Sequence, residues 1–243
     1  MSGMERQPQP AQAMLLAAGR GERMRPLTDH CPKPLLPVRG KPLMQWAMEA
    51  LARGGFHRLL VNTAWLEEQI SSHFGAESSS TGHSSLSISY SHEGRDFGGP
   101  LETAGGIARA LPKLDEVFWV LAGDVFAPDF AFTCVACDRF AASGKLAHIW
   151  LVPNPPHNLK GDFGLGQGLA LNHADVKYTY STIGLYRRAF FDSLPFGNPA
   201  GLKAPLAPLL RAAMDNGEVS AELYTGAWTD VGTPERLAEL NAS

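Results

Sequence analysis

The chain has 243 residues, 44% of them hydrophobic and 19% charged, which suits a globular protein with a full core and allows one α/β domain. A formal net charge of −3 and a pI near 6.2 argue against general nucleic-acid binding, which shows a basic excess. No apolar run approaches the length of a membrane span, and three cysteines, Cys31, Cys134 and Cys137, suit a reducing cytosol better than a disulfide framework.

Residues 1–12 carry Glu5, Arg6 and two prolines but no hydrophobic stretch, and read as a disordered tail rather than a signal peptide. A single domain over residues 13–243 is expected to follow. Residues 14–18, Met-Leu-Leu-Ala-Ala, read as a buried strand. They run into Gly19-Arg20-Gly21, then Arg23 and Arg25, and close at Pro32-Lys33-Pro34. A strand, a glycine turn and fixed cations make a cradle for a polyphosphate: glycines let backbone N–H groups approach an anion, and Arg23 and Lys33 add charge. Gly21 is followed by Glu22, so there is no Walker G-K-[ST] ending, and Met24 stands where a dinucleotide fingerprint needs its third glycine.

The spacing predicts a helix over 43–51 behind Pro42, closed by Gly54-Gly55, and a strand over 57–62 with Asn62 at its ligand-facing end. A helix over 65–74 and a Ser-rich surface loop over 77–85 follow, then an alternating strand over 86–90. Residues 93–100 read as a Gly-rich loop, and Leu101, Thr103 and Gly105 as a small-residue turn into a helix over 103–111, with backbone donors at its start. Residues 117–122 are continuously apolar, as in a central strand buried on both faces, and end at Gly123-Asp124. A carboxylate there is placed to hold a metal; a turn or capping role is the plainer alternative. A helix over 130–143 contains Cys134 and Cys137, one turn apart and unaccompanied by a second pair, which reads as packing rather than redox or zinc chemistry. Strands are expected over 146–152, over 165–171 and 178–187 as a hairpin, and over 219–224, with a helix over 203–214 whose first turns Pro205 and Pro208 blur. Trp228-Thr229-Asp230 ends a last strand, and Thr233-Pro234 caps a last helix. The eight histidines are scattered and suggest no catalytic pair. The alternation of strands and helices predicts an α/β fold, a parallel or mixed twisted sheet flanked by helices.

The pattern G-x-G-x-R-M-x-P-L-T followed by P-K-P, with L-x-T-A-G at 101–105 and W-T-D-V-G-T-P-E at 228–235, resembles the sugar-1-phosphate nucleotidyltransferases over residues 13–240. The resemblance implies a Rossmann-like three-layer fold with a mixed, mostly parallel central sheet. It also implies attack of a sugar 1-phosphate on the α-phosphorus of a nucleoside triphosphate. Nucleotide contacts are then expected from Leu16, Ala17, Ala18, Gly19, Gly21, Arg23, Lys33, Asn62, Leu101, Thr103 and Gly105. Arg23, Lys33 and Asp124 carry the catalytic roles, and Asp124 and Asp230 would hold Mg²⁺. The E-K-P segment usual in glucose-1-phosphate thymidylyl- and uridylyltransferases is absent. The corresponding N-P-P-H-N-L-K-G-D-F resembles N-acetylmuramate-1-phosphate uridylyltransferases of cell-wall recycling. This points to UTP and the sugar 1-phosphate as substrates, with Asp124, Asn154, Asp162 and Lys203 at the sugar phosphate and Lys160 a weaker candidate. Implied with it are a cytoplasmic enzyme, monomeric or weakly self-associating, without nucleic-acid or membrane partners. A mannose-1-phosphate guanylyltransferase-like enzyme, a glucose-1-phosphate enzyme and a catalytically silent regulatory subunit are the alternatives.

Overall fold

The computed structural model describes residues 11–75 and 86–242. Most of the expected tail and the Ser-rich loop lie outside the described residues. Strand β1 (Ala11–Ala17) takes in Ala11 and Gln12, assigned to the tail from sequence. Short strands β2 (Pro37–Val38) and β3 (Lys41–Pro42) lead into α1 (Leu43–Arg53), which Gly54 closes. Next come β4 (Arg58–Thr63), α2 (Glu67–Phe74) and β5 (Ser87–His92). The expected loop over 93–100 contains a short helix, α3 (Glu93–Phe97), before α4 (Glu102–Ala110). Then follow β6 (Leu114–Ala122), the short β7 (Val125–Phe126), α5 (Cys134–Ala142) and β8 (Ala147–Val152). The chain continues through β9 (Gly164–Gly166), β10 (Leu169–Leu171), β11 (Thr179–Arg187), α6 (Leu206–Asp215) and β12 (Val219–Leu223). It closes with β13 (Thr229–Asp230) and α7 (Pro234–Ala242).

Nine strands form one sheet in the order β5-β4-β1-β6-β11-β8-β12-β10-β9. Only β11 and β10 run against the others, so the sheet is mixed and mostly parallel. Alternate residues of the central strands feed two cores. Met14, Phe118 and Val120 face the side covered by α4 and α6, with Ile107 and Leu210. Leu15, Trp119 and Leu121 face the side covered by α1 and α5, with Met44, Leu51 and Phe140. This is the period-two alternation of a strand buried on both faces.

Two element assignments change. The segment 130–133 is not helical: Phe130 and Phe132 lay their rings edge-on against Trp119, at centroid distances of 6.2 and 5.0 Å. Thr133 then caps α5 by accepting from Ala136 N, 3.1 Å. The hairpin forms within 164–171, not between 165–171 and 178–187. Gln167 and Gly168, at φ 53° and 75°, make the tight turn between β9 and β10, while β11 crosses to the sheet centre between β6 and β8. In α5, Cys134 is exposed, and burial pushes the Cys137 thiol up to about 11, which disfavours its thiolate.

Candidate active site

The strand ends of β1, β4 and β6 converge on a cavity of about 680 Å³, as expected for the carboxyl edge of an α/β sheet. Leu16, Ala17, Ala18 and Gly19 supply one wall, with Lys33, Asn62 and Asp124 beside them. Thr103 and Asp162 also line it, so nine residues singled out from sequence share one cavity.

The phosphate-type loop is held by its own side chains. Gly21 sits at φ 70°, and a Cβ there would meet Thr28 Cγ2 at 2.9 Å, so the turn admits only glycine. Thr28 Oγ1 donates to Gly21 O at 2.8 Å. Arg20 donates to Thr28 O at 2.7 Å and to Asp29 at 2.9 Å, and its guanidinium lies 3.7 Å from the Trp65 ring centroid. Arg25 also pairs with Asp29, at 2.8 Å. Arg20 and Arg25 are thus engaged structurally, whereas Arg23 is exposed and makes no ion pair among the described residues. Gly21 and Arg23 lie beside the cavity rather than on its wall.

Lys33 is 8% exposed, held in a 3₁₀ turn between Pro32 and Pro34, and its ammonium pairs with the Asp124 carboxylate. Asp124 follows β6; its backbone carbonyl accepts from Val231 N at 2.9 Å, and β7 pairs with β13 so that Val125 opposes Asp230. The two aspartates therefore stand at the ends of neighbouring chain segments. Asp230 does not line the cavity: Arg236 pairs with its carboxylate, and His157 Nε2 lies 2.8 Å from it. Their donor chemistry fits a hard divalent cation, which takes one or two carboxylates and leaves its other positions to phosphate oxygens and water. Among the described residues, no group of three or more His, Cys, Asp or Glu forms a metal cluster of its own.

Asn62 and a residue not foreseen from sequence, Glu93, join two walls. Asn62 Oδ1 accepts from Ala17 N at 2.9 Å, and its Nδ2 donates to Glu93 Oε1 at 2.8 Å. Glu93 Oε2 accepts from Leu101 N at 2.8 Å. Glu93 has no exposed surface, and burial pushes its carboxyl above the usual range against the pull of these hydrogen bonds. Its sequence signal is its position: it follows β5 as Asp124 follows β6.

Leu101 and Gly105 lie behind the wall. Leu101 O accepts from Ala204 N at 3.1 Å, and Ala204 O accepts from Ala104 N and Gly105 N at 2.9 and 3.0 Å. The segment 198–205 therefore occupies first-turn donors of α4 that the sequence reading left for a ligand. A Cβ at Gly105 would meet Leu202 O at 2.5 Å, so this glycine makes room for that segment.

The other end of the cavity departs most from expectation. Asp162 lines it, accepting from Tyr180 N at 2.8 Å. Asn154 does not; it donates to Lys177 O at 2.8 Å and accepts from Thr179 Oγ1 at 3.0 Å, fastening the 154–162 loop to β11. Lys160 and Lys203 are exposed and off the wall. Helix α6 begins at Leu206 behind Pro205, which leaves Lys203 in the preceding segment. The cation on this wall is instead Arg211, one helical turn beyond Ala207, which also lines the cavity.

Residues 12–165 match the nucleotidyl transferase family model. The chain belongs to the sugar-1-phosphate nucleotidyltransferase family. It is 46% identical over 239 residues to an N-acetylmuramate alpha-1-phosphate uridylyltransferase of Neisseria meningitidis serogroup B, covering 95% of this chain and 96% of that one. A UTP–glucose-1-phosphate uridylyltransferase of Synechocystis sp. is 31% identical over 241 residues, 90% of this chain and 60% of its own length. A crystal structure from Bacillus anthracis, assigned as a glucose-1-phosphate thymidylyltransferase, superposes with a TM-score of 0.76 at 20% identity, over 96% of this chain and 94% of that one. The last similarity establishes the fold.

Proposed function

We propose that this enzyme transfers UMP from UTP to N-acetylmuramate 1-phosphate, releasing pyrophosphate, with Mg²⁺ as the metal. The observation that supports it most is the 46% identity to the Neisseria enzyme across nearly the full length of both chains. The cavity suits it, with the start of a phosphate-type loop, a buried lysine and a carboxylate among its lining and a volume of about 680 Å³. A phosphate oxygen of the sugar substrate forms the new bond to the α-phosphorus, and the bond to the bridging oxygen breaks, its electron pair leaving with pyrophosphate. The nucleophile is already an anion, so no general base is required. Catalysis then rests on positioning and charge neutralisation.

In this reading Gly19, Gly21 and Arg23 hold the β- and γ-phosphates, and Lys33 neutralises charge at the α-phosphate. Asn62 and Thr103 border the nucleoside, and Asp162 meets the sugar. Asp124 and Asp230 would hold Mg²⁺, which would neutralise phosphate charge there. We further place the enzyme in the cytoplasm, in peptidoglycan recycling, as a single domain that takes in the whole of β1 and is monomeric or weakly self-associating. Pyrophosphate release tests the reaction: purified protein with UTP, Mg²⁺ and N-acetylmuramate 1-phosphate should release it, and inactivity with this pair overturns the substrate reading.

A further inference from the structure

The cavity is poor in cations for a site that must hold two phosphorylated substrates. Among the described residues, Lys33 and Arg211 are the only cationic side chains on its wall, against Glu93, Glu102, Asp124 and Asp162. Lys33 is already paired with Asp124. Arg211 has no carboxylate within ion-pair distance among the described residues, although it lies on a wall that includes Asp162. One arm of its guanidinium is fixed: Nη1 donates to Asn172 Oδ1 at 2.6 Å, and Asn172 Nδ2 in turn donates to Asp215 Oδ1 at 3.1 Å. Its Cζ lies 5.1 Å from the centroid of the Phe163 ring, which also lines the cavity. The fork is thus held at one corner by an amide and at one face by an aromatic ring, with its remaining N–H groups available for an anion.

N-acetylmuramate differs from N-acetylglucosamine by a lactyl ether on the sugar, which carries a carboxylate. A carboxylate brought into a cavity already lined by four acidic side chains is repelled and loses hydration unless a cation meets it. Arg211 comes from α6 and lies against the Phe163 ring, on a wall that also includes Asp162. We propose that Arg211 recognises the lactyl carboxylate of the sugar substrate through a charge-assisted fork, and so sets the preference for the carboxylated sugar 1-phosphate over its plain N-acetylhexosamine counterpart. This rests on the substrate reading above. Asn172 and Asp215 are positioning residues for Arg211, since they act through its guanidinium.

The test measures kcat/KM with UTP for N-acetylmuramate 1-phosphate and for N-acetylglucosamine 1-phosphate, in wild type, Arg211→Gln and Arg211→Lys. Wild type should favour the carboxylated sugar. Arg211→Gln should reduce the ratio of the two kcat/KM values by about 10- to 100-fold, the scale of a lost charge-assisted hydrogen bond, with the change carried by KM for the carboxylated sugar. Arg211→Lys keeps the charge but loses the fork, and should reduce the ratio several-fold; it carries the test if thermal unfolding shows that the glutamine variant does not fold. A wild-type preference that both variants retain overturns the role of Arg211 and leaves the substrate reading standing. A wild type that uses both sugars equally well overturns the role of Arg211 alone, and a wild type inactive with N-acetylmuramate 1-phosphate overturns the substrate reading and the role of Arg211 together.

Discussion

Replacing Glu93 by Gln separates the charge of this buried carboxylate from its shape. Both of its oxygens accept, one from Asn62 Nδ2 and one from Leu101 N, each at 2.8 Å. A glutamine of the same volume has one acceptor oxygen, so its NH₂ must face one of these two donors. Asn62 cannot adapt by flipping, because its Oδ1 is held by Ala17 N at 2.9 Å. Nor can the pair move closer to α4: a Cβ at Gly106 would already meet Glu93 Oε1 at 2.5 Å, which marks how closely the helix backbone lies. One hydrogen bond is lost and one buried donor is left unpaired, a cost of about 1–3 kcal/mol. Relief from burying a charge opposes it, so a net loss of about 1–2 kcal/mol is expected, or roughly 2–8 °C in Tm for a chain of this size. The same hydrogen bonds connect β1 to the turn before α4, so KM for the nucleoside triphosphate should rise several-fold with little change in kcat. Calorimetry and steady-state kinetics on the variant check both. A Glu93→Gln protein at least as stable as wild type, with unchanged KM, would refute the reasoning, because burial of the charge would then outweigh the two hydrogen bonds.

Lys33→Ala should lower kcat by about 10²-fold or more, the scale of losing a transition-state charge donor; a change confined to KM would mean that Lys33 only binds the ground state. Asp124→Asn should abolish Mg²⁺-dependent turnover while circular dichroism shows the fold intact, and wild-type rates in that variant would remove Asp124 as the metal ligand. His148, 8% exposed and bonded through Nδ1 to Ser220 Oγ at 2.8 Å, is pushed down to about 4 by burial. A histidine whose folded value lies below its unfolded value of 6.5 contributes stability above about pH 6.5 that is lost as pH falls through about 4. Unfolding free energy should therefore drop by up to about 3 kcal/mol over that window, and His148→Gln should flatten the drop in denaturant titrations.

The glycine-loop side of the cavity was legible because it is local. Residues 16–19 and Lys33 belong to one short run whose glycines and prolines dictate its backbone. Asn62 and Asp124 were legible for a related reason: each ends a strand of evident apolar or β-branched character, and strand ends in an α/β sheet converge. Glu93 obeys the same rule but was obscured by the glycines that follow it, Gly94, Gly98 and Gly99, which read as a loop although 93–97 is helical. The engagement of the Ala104 and Gly105 donors in the first turn of α4 was not legible, because they are taken by Ala204, about a hundred residues later, and no local pattern announces a contact of that range. Asp230 shows a similar limit. Its position after a short strand was readable, but its pairing with Arg236 and His157 depends on how α7 and the 154–162 loop fold back. The sugar side was least legible. Placing Arg211 there required the start of α6, and the prolines at 205 and 208 admit a start at either 203 or 206; the true start turns Arg211, not Lys203, to the cavity.

The central claim concerns which base and which sugar are joined, and one competition reaction addresses it directly. The enzyme is given equal amounts of UTP, dTTP, GTP, ATP and CTP together with N-acetylmuramate, mannose and glucose 1-phosphates, and the nucleotide sugars formed at early time are weighed by mass spectrometry. UDP-N-acetylmuramate should dominate the products. A spectrum dominated by GDP-mannose, or by a uridylyl or thymidylyl derivative of glucose, would contradict the account.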